Sequence, residues 1–321
     1  MTGSAGHLGE ALVRVLKEER EDVVGLDIVA SPSTDAIGSI LDPAFVRRSL
    51  DGVDAVFHTA TLHKPHICSH NLSDFVDTNV SGTLNMLEAA ADSGVRAFVF
   101  TSSTSAFGGA LTPVSSSRAV WIDEEVLPVP RNIYGVTKTA AENLCELFSR
   151  DRKLPCIVLR TSRFFAEPDD RDQIRATFHD LNMKVNELLY RRVDLEDVVT
   201  AHRLALERAP AIGFGRYVVS ATTPFRRDDL ADLRTDAIRV VRRLFPEFEN
   251  IYAERGWTML PDVDRVYVNA LARRDLGWRP RYDFGYALER LRTGHDPRSP
   301  LARTIGAKGY HSETTGVYTV R

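Results

Sequence analysis

The sequence predicts an α/β protein wound on both faces of one parallel sheet, and three observations carry that prediction. A glycine-rich stretch, Thr2-Gly3-Ser4-Ala5-Gly6-His7-Leu8-Gly9, leads directly into a helix-compatible run that reaches about residue 19. Three apolar runs, 53–60, 96–102 and 156–160, have the length of buried strands. Longer amphipathic stretches, such as 75–93, stand between them. Strands that alternate with helices need crossover connections, and crossovers place helices over both faces of a parallel sheet.

At 321 residues the chain is long enough for one large domain or two intimate ones. Its net charge of −3 intersperses both signs. No basic stripe suggests nucleic acid, and no Lys/Arg run suggests a membrane surface. The doublets Arg226-Arg227, Arg242-Arg243 and Arg273-Arg274 read as solvated helix faces. No run of about 18 apolar residues is present, so no membrane span is expected, and no secretory signal either. Cys68, Cys145 and Cys156 lack metal-ligand spacing and are odd in number, which fits a reduced, cytoplasmic compartment. His63 and His66 have ligand spacing without a partner cluster, so no metal is expected.

In chain order, the spacing G-x-x-G-x-x-G assigns three roles. Gly3 permits a tight turn, Gly6 lets the backbone approach a pyrophosphate, and Gly9 allows close packing of helix on strand. The helix N-terminus at His7 and Leu8 faces the anion. Such a turn follows a buried central strand, yet only Met1 and Thr2 precede Gly3. The first strand is therefore expected to be missing from this sequence, with the true reading frame starting upstream. Its two neighbours would then carry unpaired edges. An apolar strand at 22–26 ends at Asp27, followed by Ile28. A carboxylate there accepts from the adenosine ribose hydroxyls and repels a 2′-phosphate, which favours NAD over NADP. A short helix is expected at 43–49, a loop at 62–70, a long helix at 75–93 and a loop insertion at 111–131.

Tyr134 and Lys138 lie four residues apart at the start of a helix-compatible run, on one helix face. A phenol is a poor acid at neutral pH, and a nearby ammonium favours its phenolate. The tyrosine can then trade protons with a hydroxyl or a carbonyl.

The glycine-rich opening, Thr101-Ser102-Ser103-Thr104-Ser105 and Tyr134-Gly135-Val136-Thr137-Lys138 occur in an order and spacing that resemble the extended short-chain dehydrogenase/reductase family. The likeness is to its NAD-dependent epimerase/dehydratase branch. It is dense from residue 2 to about 165 and thinner afterwards. It implies a Rossmann-type doubly wound sheet over 1–165, with part of 190–220 returning to it. A smaller α/β substrate-binding region over 166–321 follows.

The same resemblance implies roles for single residues. The catalytic hydroxyl falls on Ser103, beside Tyr134, and Lys138 also binds the nicotinamide ribose. Ser39 stands where the family usually has Asp near adenine, and Ile40 packs on the base. Thr59, Ala60 and Thr61 floor the ribose and phosphates, with His63 and Lys64 on the loop above. Asn79, in Asn-x-x-Gly-Thr, braces the active-site backbone. Thr101 and Thr161 complete the cofactor set, Ser162 flanks the nicotinamide face with Thr161, and Phe107 stands where the family usually has Tyr. Dehydratases of the branch carry an acidic pair at Thr104 and Ser105, so sugar 4,6-dehydration is not expected. Thr104 and Arg163 face the substrate. Glu187 and Thr258 fall near the places where nucleotide-sugar enzymes clamp a diphosphate with arginine, so Arg163, Arg191 or Arg265 would substitute.

Asp194 or Asp197 caps the helix that follows, 216–220 is a further strand, 227–244 is helical, 271–280 is a helix-to-turn element, and the tail from 292 wraps the surface. The helices at 75–93 and from Tyr134 have an apolar stripe beyond what one sheet face needs, which predicts a homodimer. These residues imply an NAD-dependent epimerase or dehydrogenase of a sugar or nucleotide-sugar hydroxyl. A reductase or dehydrogenase of a non-nucleotide hydroxy compound is the alternative. A non-catalytic dinucleotide sensor is a further one, against which the retained Tyr134, Lys138 and Ser103 argue.

Overall fold

The computed structural model describes residues 1–111 and 117–309. Five residues of the expected 111–131 loop and the tail from 310 lie outside the described residues. Among the described residues eight strands form in chain order: β1 (Leu26–Asp27), β2 (Ala36–Ile37), β3 (Ala55–His58), β4 (Ala97–Ser103), β5 (Val120–Ile122), β6 (Cys156–Thr161), β7 (Phe214–Val219) and β8 (Arg265–Tyr267). The helices that build the site are α1 (His7–Glu18), α2 (Pro43–Ser49), α3 (Leu72–Val76), α4 (Gly82–Asp92), α5 (Ile133–Arg152), α6 (Asp172–Thr177), α7 (Asp180–Glu187) and α8 (Leu195–Ile212).

All ladders are parallel. β1 pairs with β2, and β3, β4, β6 and β7 follow in that order. Thr2 joins the two groups, with parallel bridges to Leu26 on one side and His58 on the other. Its N–H donates to Phe57 O at 3.0 Å, while Leu26 N–H donates to Met1 O at 2.7 Å. The position of the expected first strand is thus held by Met1 and Thr2, and the neighbouring edges are tied through them.

The strand period of two sorts the core. Ala97 and Val99 of β4, with Ile157 and Leu159 of β6, pack with α1 and α8. Phe98, Phe100, Cys156 and Val158 point the other way and pack with α2, α4 and α5. A further apolar cluster gathers residues from 183 to 291 with Ala119. It includes Leu233, Val241 and Phe284.

Three expectations change. The 111–131 loop contains β5, which pairs with β8; Val120-Trp121-Ile122 finds a partner more than 140 positions away that local pattern does not reveal. The 75–93 helix is interrupted by a π-turn at Asp77–Ser81, where Asn79 sits. The extra residue shifts the helix phase and aims Asn79 inward. The helical stretch 227–244 also breaks, because Asp236 leaves helical geometry to cap Ala237–Leu244 through Arg239 N. Asp194, of the two candidates, caps α8 by accepting from Glu196 N at 2.8 Å. Asp197 instead accepts from Arg281 N and Tyr282 N, at 2.8 and 2.9 Å.

Candidate active site

The site forms at the carboxyl ends of β4 and β6 and the start of α5. Asn132 starts α5 by accepting from Gly135 N at 3.0 Å, which places Tyr134 in the first turn and Lys138 one turn on. Register pairing sets Ser103 beside Thr161. Gly135 lies against Ser105, whose carbonyl oxygen a Cβ would approach to 2.6 Å. The helix start can therefore press on the serine segment only with glycine there.

Lys138 is 2% exposed, and its Nζ donates to Thr101 O at 2.7 Å. The ammonium also sits 4.6 Å from the Phe100 ring centroid. Burial pushes Lys138 down to about 7, although Glu142 pulls the other way. Tyr134 does not show the expected depression. Burial pushes its phenol up to about 12, and a hydrogen bond with Ser103 only partly opposes this. Desolvation of the phenolate sets the direction. Ser103 Oγ also accepts from Ser105 N at 3.1 Å.

Asn79 ties the surroundings together. Its Oδ1 accepts from Leu62 N and from the Thr61 hydroxyl, both at 2.8 Å. Its Nδ2 donates to Leu62 O at 2.8 Å and to Thr137 Oγ1 at 3.0 Å. The backbone beyond β3 and α5 are thereby held by one amide. His63, next along, packs its ring 6.5 Å from Tyr134 and 5.3 Å from Phe165, centroid to centroid.

The glycine-rich turn has the form of a dinucleotide cradle. Gly3 has φ +69°, and a Cβ there would meet Ala60 N at 2.7 Å. A Cβ at Gly9 would lie 1.8 Å from Gly3 O. Gly6 is the N-cap of α1 and has no side-chain capping bond, so the first turn is open to an anion. Asp27 ties the turn to β1, accepting from Ala5 N at 2.9 Å and Val29 N at 3.0 Å. Each carboxylate oxygen has a second lone pair for a ribose hydroxyl. Ser162 Oγ is buried beside Thr161 without a partner among the described residues. A cradle without side chains, an uncapped helix start, a carboxylate at the strand end and an orphan hydroxyl fit a dinucleotide.

Other predicted residues are placed differently. Ile40 is buried in the core with α2 and α4, so the apolar surface near Asp27 comes from Ile28 and from Ile37, which the sequence reading missed. Ser39 Oγ accepts from Leu41 N at 3.1 Å. Thr59 Oγ1 donates to Thr2 O at 2.8 Å and Ala60 N donates to Thr2 Oγ1 at 3.2 Å. The Thr101 hydroxyl bonds His202 at 2.8 Å, so its carbonyl, not its side chain, serves the site. Thr161 Oγ1 donates to Ser102 O at 2.9 Å. Thr104 opens a short 3₁₀ turn after β4. His7 packs against Glu167, with Nε2 and Oε1 2.9 Å apart. Arg163 and Arg191 both reach buried Glu187. Arg265 donates to Gly108 O at 3.0 Å and pairs with Asp264. Among the described residues no cluster of three or more His, Cys, Asp or Glu could hold a metal, and no helix is long and apolar enough to cross a membrane.

Known proteins are similar to this chain. The NAD dependent epimerase/dehydratase family matches residues 1–219. An uncharacterized UDP-glucose epimerase of Bacillus subtilis is 27% identical over 202 residues, 56% of this chain and 60% of its own length. An NAD-dependent glucose-6-phosphate dehydrogenase of Haloferax volcanii is 31% identical over 159 residues, 45% of this chain and 60% of its own. The chain spans only 37% to 60% of the length of several curated relatives it matches. The crystal structure of a short-chain dehydrogenase/reductase superfamily protein from Agrobacterium tumefaciens with bound NAD superposes with a TM-score of 0.65. It covers 94% of this chain and 96% of that one at 24% identity, a likeness of fold.

The buried ammonium has a consequence for stability. With its folded value near 7 and its ordinary value 10.5, the unfolded chain holds the extra proton between those limits. Stability from this group therefore rises with pH from about 7 to about 10.5, by at most about 1.4 kcal/mol per pH unit. Lys138→Met removes that rise. Denaturant unfolding of both proteins at pH 7 and pH 9 checks it, and equal pH responses would contradict it.

Proposed function

The chain belongs to the NAD-dependent epimerase/dehydratase family, and from that premise we propose that it acts on a secondary hydroxyl of a sugar or nucleotide sugar. When bound, NAD supplies the hydride acceptor and donor. The chain's own residues manage the proton and the substrate oxygen. Tyr134 exchanges the hydroxyl proton, Ser103 hydrogen-bonds the same oxygen, and Lys138 holds the cofactor ribose and the tyrosine in one frame. The single observation that carries this reading is the start of α5, where Tyr134 and Lys138 are both buried one turn apart and the Lys138 Nζ is fixed on the carbonyl of Thr101, two residues before Ser103. With its phenol held near 12, Tyr134 is protonated at neutral pH, poised to donate to a carbonyl oxygen. A ketone that stays bound and receives hydride on its other face gives epimerisation; one that leaves gives dehydrogenation.

The cofactor is assigned to 1–165 with part of 190–220, and the substrate to 166–321. Gly3, Gly6, His7, Leu8 and Gly9 hold the pyrophosphate, and Asp27 the adenosine ribose. The second reading, a non-nucleotide hydroxy compound as substrate, is favoured by one observation. Glu187 is a fully buried carboxylate that binds Arg163, Arg191 and Arg192 together.

A homodimer through the helices α3–α4 and α5 is part of the same proposal. Leu72 and Val76 on one, with Val136 and Leu147 on the other, are exposed apolar side chains.

Screening sugars and nucleotide sugars for NADH formation, and separately for isomer interconversion, identifies an assay. In it Tyr134→Phe lowers kcat by roughly a hundredfold or more, while NADH binding followed by fluorescence changes little. Unchanged turnover would remove the tyrosine's role. NADP titrated alongside binds more weakly than NAD, and tighter NADP binding would remove the role of Asp27. Val136→Glu yields a monomer by light scattering, whereas an unchanged mass would place the dimer contact elsewhere or deny it.

A further inference from the structure

The residue that receives the Lys138 ammonium is itself held from the opposite face of the sheet. Strand alternation turns Ala97 and Val99 of β4 toward α1 and α8, and Phe98 and Phe100 toward α5. The Thr101 side chain continues the first row. Its hydroxyl meets His202 Nε2 at 2.8 Å, and His202 Nδ1 lies 2.8 Å from Val198 O, one turn back along α8. A carbonyl oxygen only accepts, so Nδ1 carries the ring proton and Nε2 of the neutral imidazole accepts from Thr101. Burial keeps the ring neutral, pushing His202 down to about 4. The ring is fully buried, with the Phe57 ring centroid 6.2 Å away. Thr101 is therefore gripped twice: α8 holds its hydroxyl, and Lys138 Nζ of α5 donates to its carbonyl at 2.7 Å.

The place of Thr101 in the sheet makes the second grip matter. Thr101 lies one residue past the last pair of β3 with β4, His58 with Phe100. From there β4 has a strand neighbour on one side only, β6, where Thr101 stands opposite Leu159. The same stretch leads directly to Ser102 and Ser103. Backbone pairing alone thus fixes this end of the strand less firmly than its middle, and a side-chain bond to α8 supplies the missing restraint. An ammonium has three N–H donors. Lys138 spends one on Thr101 O, so the direction of that carbonyl sets where the other two point. Without an acceptor at His202 the buried Thr101 hydroxyl loses its partner. It then turns to find another, and the peptide it belongs to turns with it. Filling space beside Phe57 does not require an acceptor aimed at Thr101.

Given the reading above that Lys138 holds the nicotinamide ribose, we propose that His202 is a positioning residue for the proton-transfer site. From the far face of the sheet it fixes the Thr101 hydroxyl, and through the Thr101 carbonyl it fixes where the Lys138 ammonium points. It acts only through Thr101 and exchanges no proton itself.

The test is fluorescence titration of the full chain with NADH, with melting temperatures measured alongside. His202→Leu weakens NADH binding roughly tenfold, the scale of one lost buried hydrogen bond, and Lys138→Met weakens it at least as much. His202→Gln, which returns an acceptor oxygen to the place of Nε2, recovers most of the affinity. His202→Leu added to Lys138→Met weakens binding no further, because the imidazole works through the lysine. Thr101→Val combined with His202→Leu removes both polar partners. Its melting temperature returns toward that of the wild type, while NADH binding stays weak. Wild-type affinity in His202→Leu, or additive effects of His202→Leu and Lys138→Met, overturns the positioning role. So does a Thr101→Val/His202→Leu protein that regains affinity together with stability, since the pair would then only satisfy buried polar groups. Those three outcomes leave the ribose role of Lys138 standing. Lys138→Met that binds NADH like the wild type sinks that role instead, and the positioning role of His202 falls with it.

Discussion

The buried ammonium of Lys138, bonded to the carbonyl of Thr101, is the constraint from which the rest of the site follows. A lysine that is 2% exposed would be strongly unfavourable without partners. Here it has a carbonyl at 2.7 Å, an aromatic face at 4.6 Å and the field of Glu142 one turn further along α5. The carbonyl and the ring both come from β4. The lysine therefore pins the first two turns of α5 to the end of β4, and Tyr134 is carried into place beside Ser103. Glu142 itself is fixed by Arg160, whose Nη2 donates to Oε2 at 2.7 Å and whose Nε donates to Oε1 at 3.1 Å, and by the Ser102 hydroxyl at 2.5 Å. The floor of the site is thus a chain of buried polar groups from β4 through α5 to β6.

The glycine cradle and Asn79 extend this arrangement. Gly9 lets α1 approach the turn so closely that its backbone nearly touches Gly3 O. Asp27 then locks the turn to β1 through Ala5 N. On the other side, Asn79 couples the Leu62 backbone to Thr137, one residue before the lysine. The phosphate end and the reacting end of a dinucleotide would therefore rest on segments joined through a single sheet. The cluster at Glu187 stands outside that frame.

Much of this was legible in the residues. Glycine spacing, strand-length apolar runs and the Tyr134–Lys138 interval are local signals with strong steric or periodic causes, and the structure placed them as expected. What local pattern could not show is of three kinds. The π-turn at Asp77–Ser81 leaves no mark on hydrophobic periodicity beyond a small phase shift. The pairing of Val120–Ile122 with Arg265–Tyr267 depends on chain folding over a long separation. The direction of the Tyr134 shift depends on burial, which spacing to a lysine does not report. The family resemblance puts Ile40 on the base, whereas its side chain is buried over Gly82 and Ile37 is exposed. The role of Glu187 as a shared counter-ion needed three arginines to be seen in space.

The most direct test of the central claim is a crystal structure with NAD bound. The account predicts the pyrophosphate over Gly6, His7 and Leu8, and the Lys138 Nζ bonded to the nicotinamide ribose hydroxyls. The Tyr134 and Ser103 oxygens should lie on one side of the nicotinamide ring, within hydrogen-bond reach of a common substrate oxygen. A nicotinamide ring placed away from Tyr134, or a Lys138 that keeps Thr101 O but never meets the ribose, would contradict it.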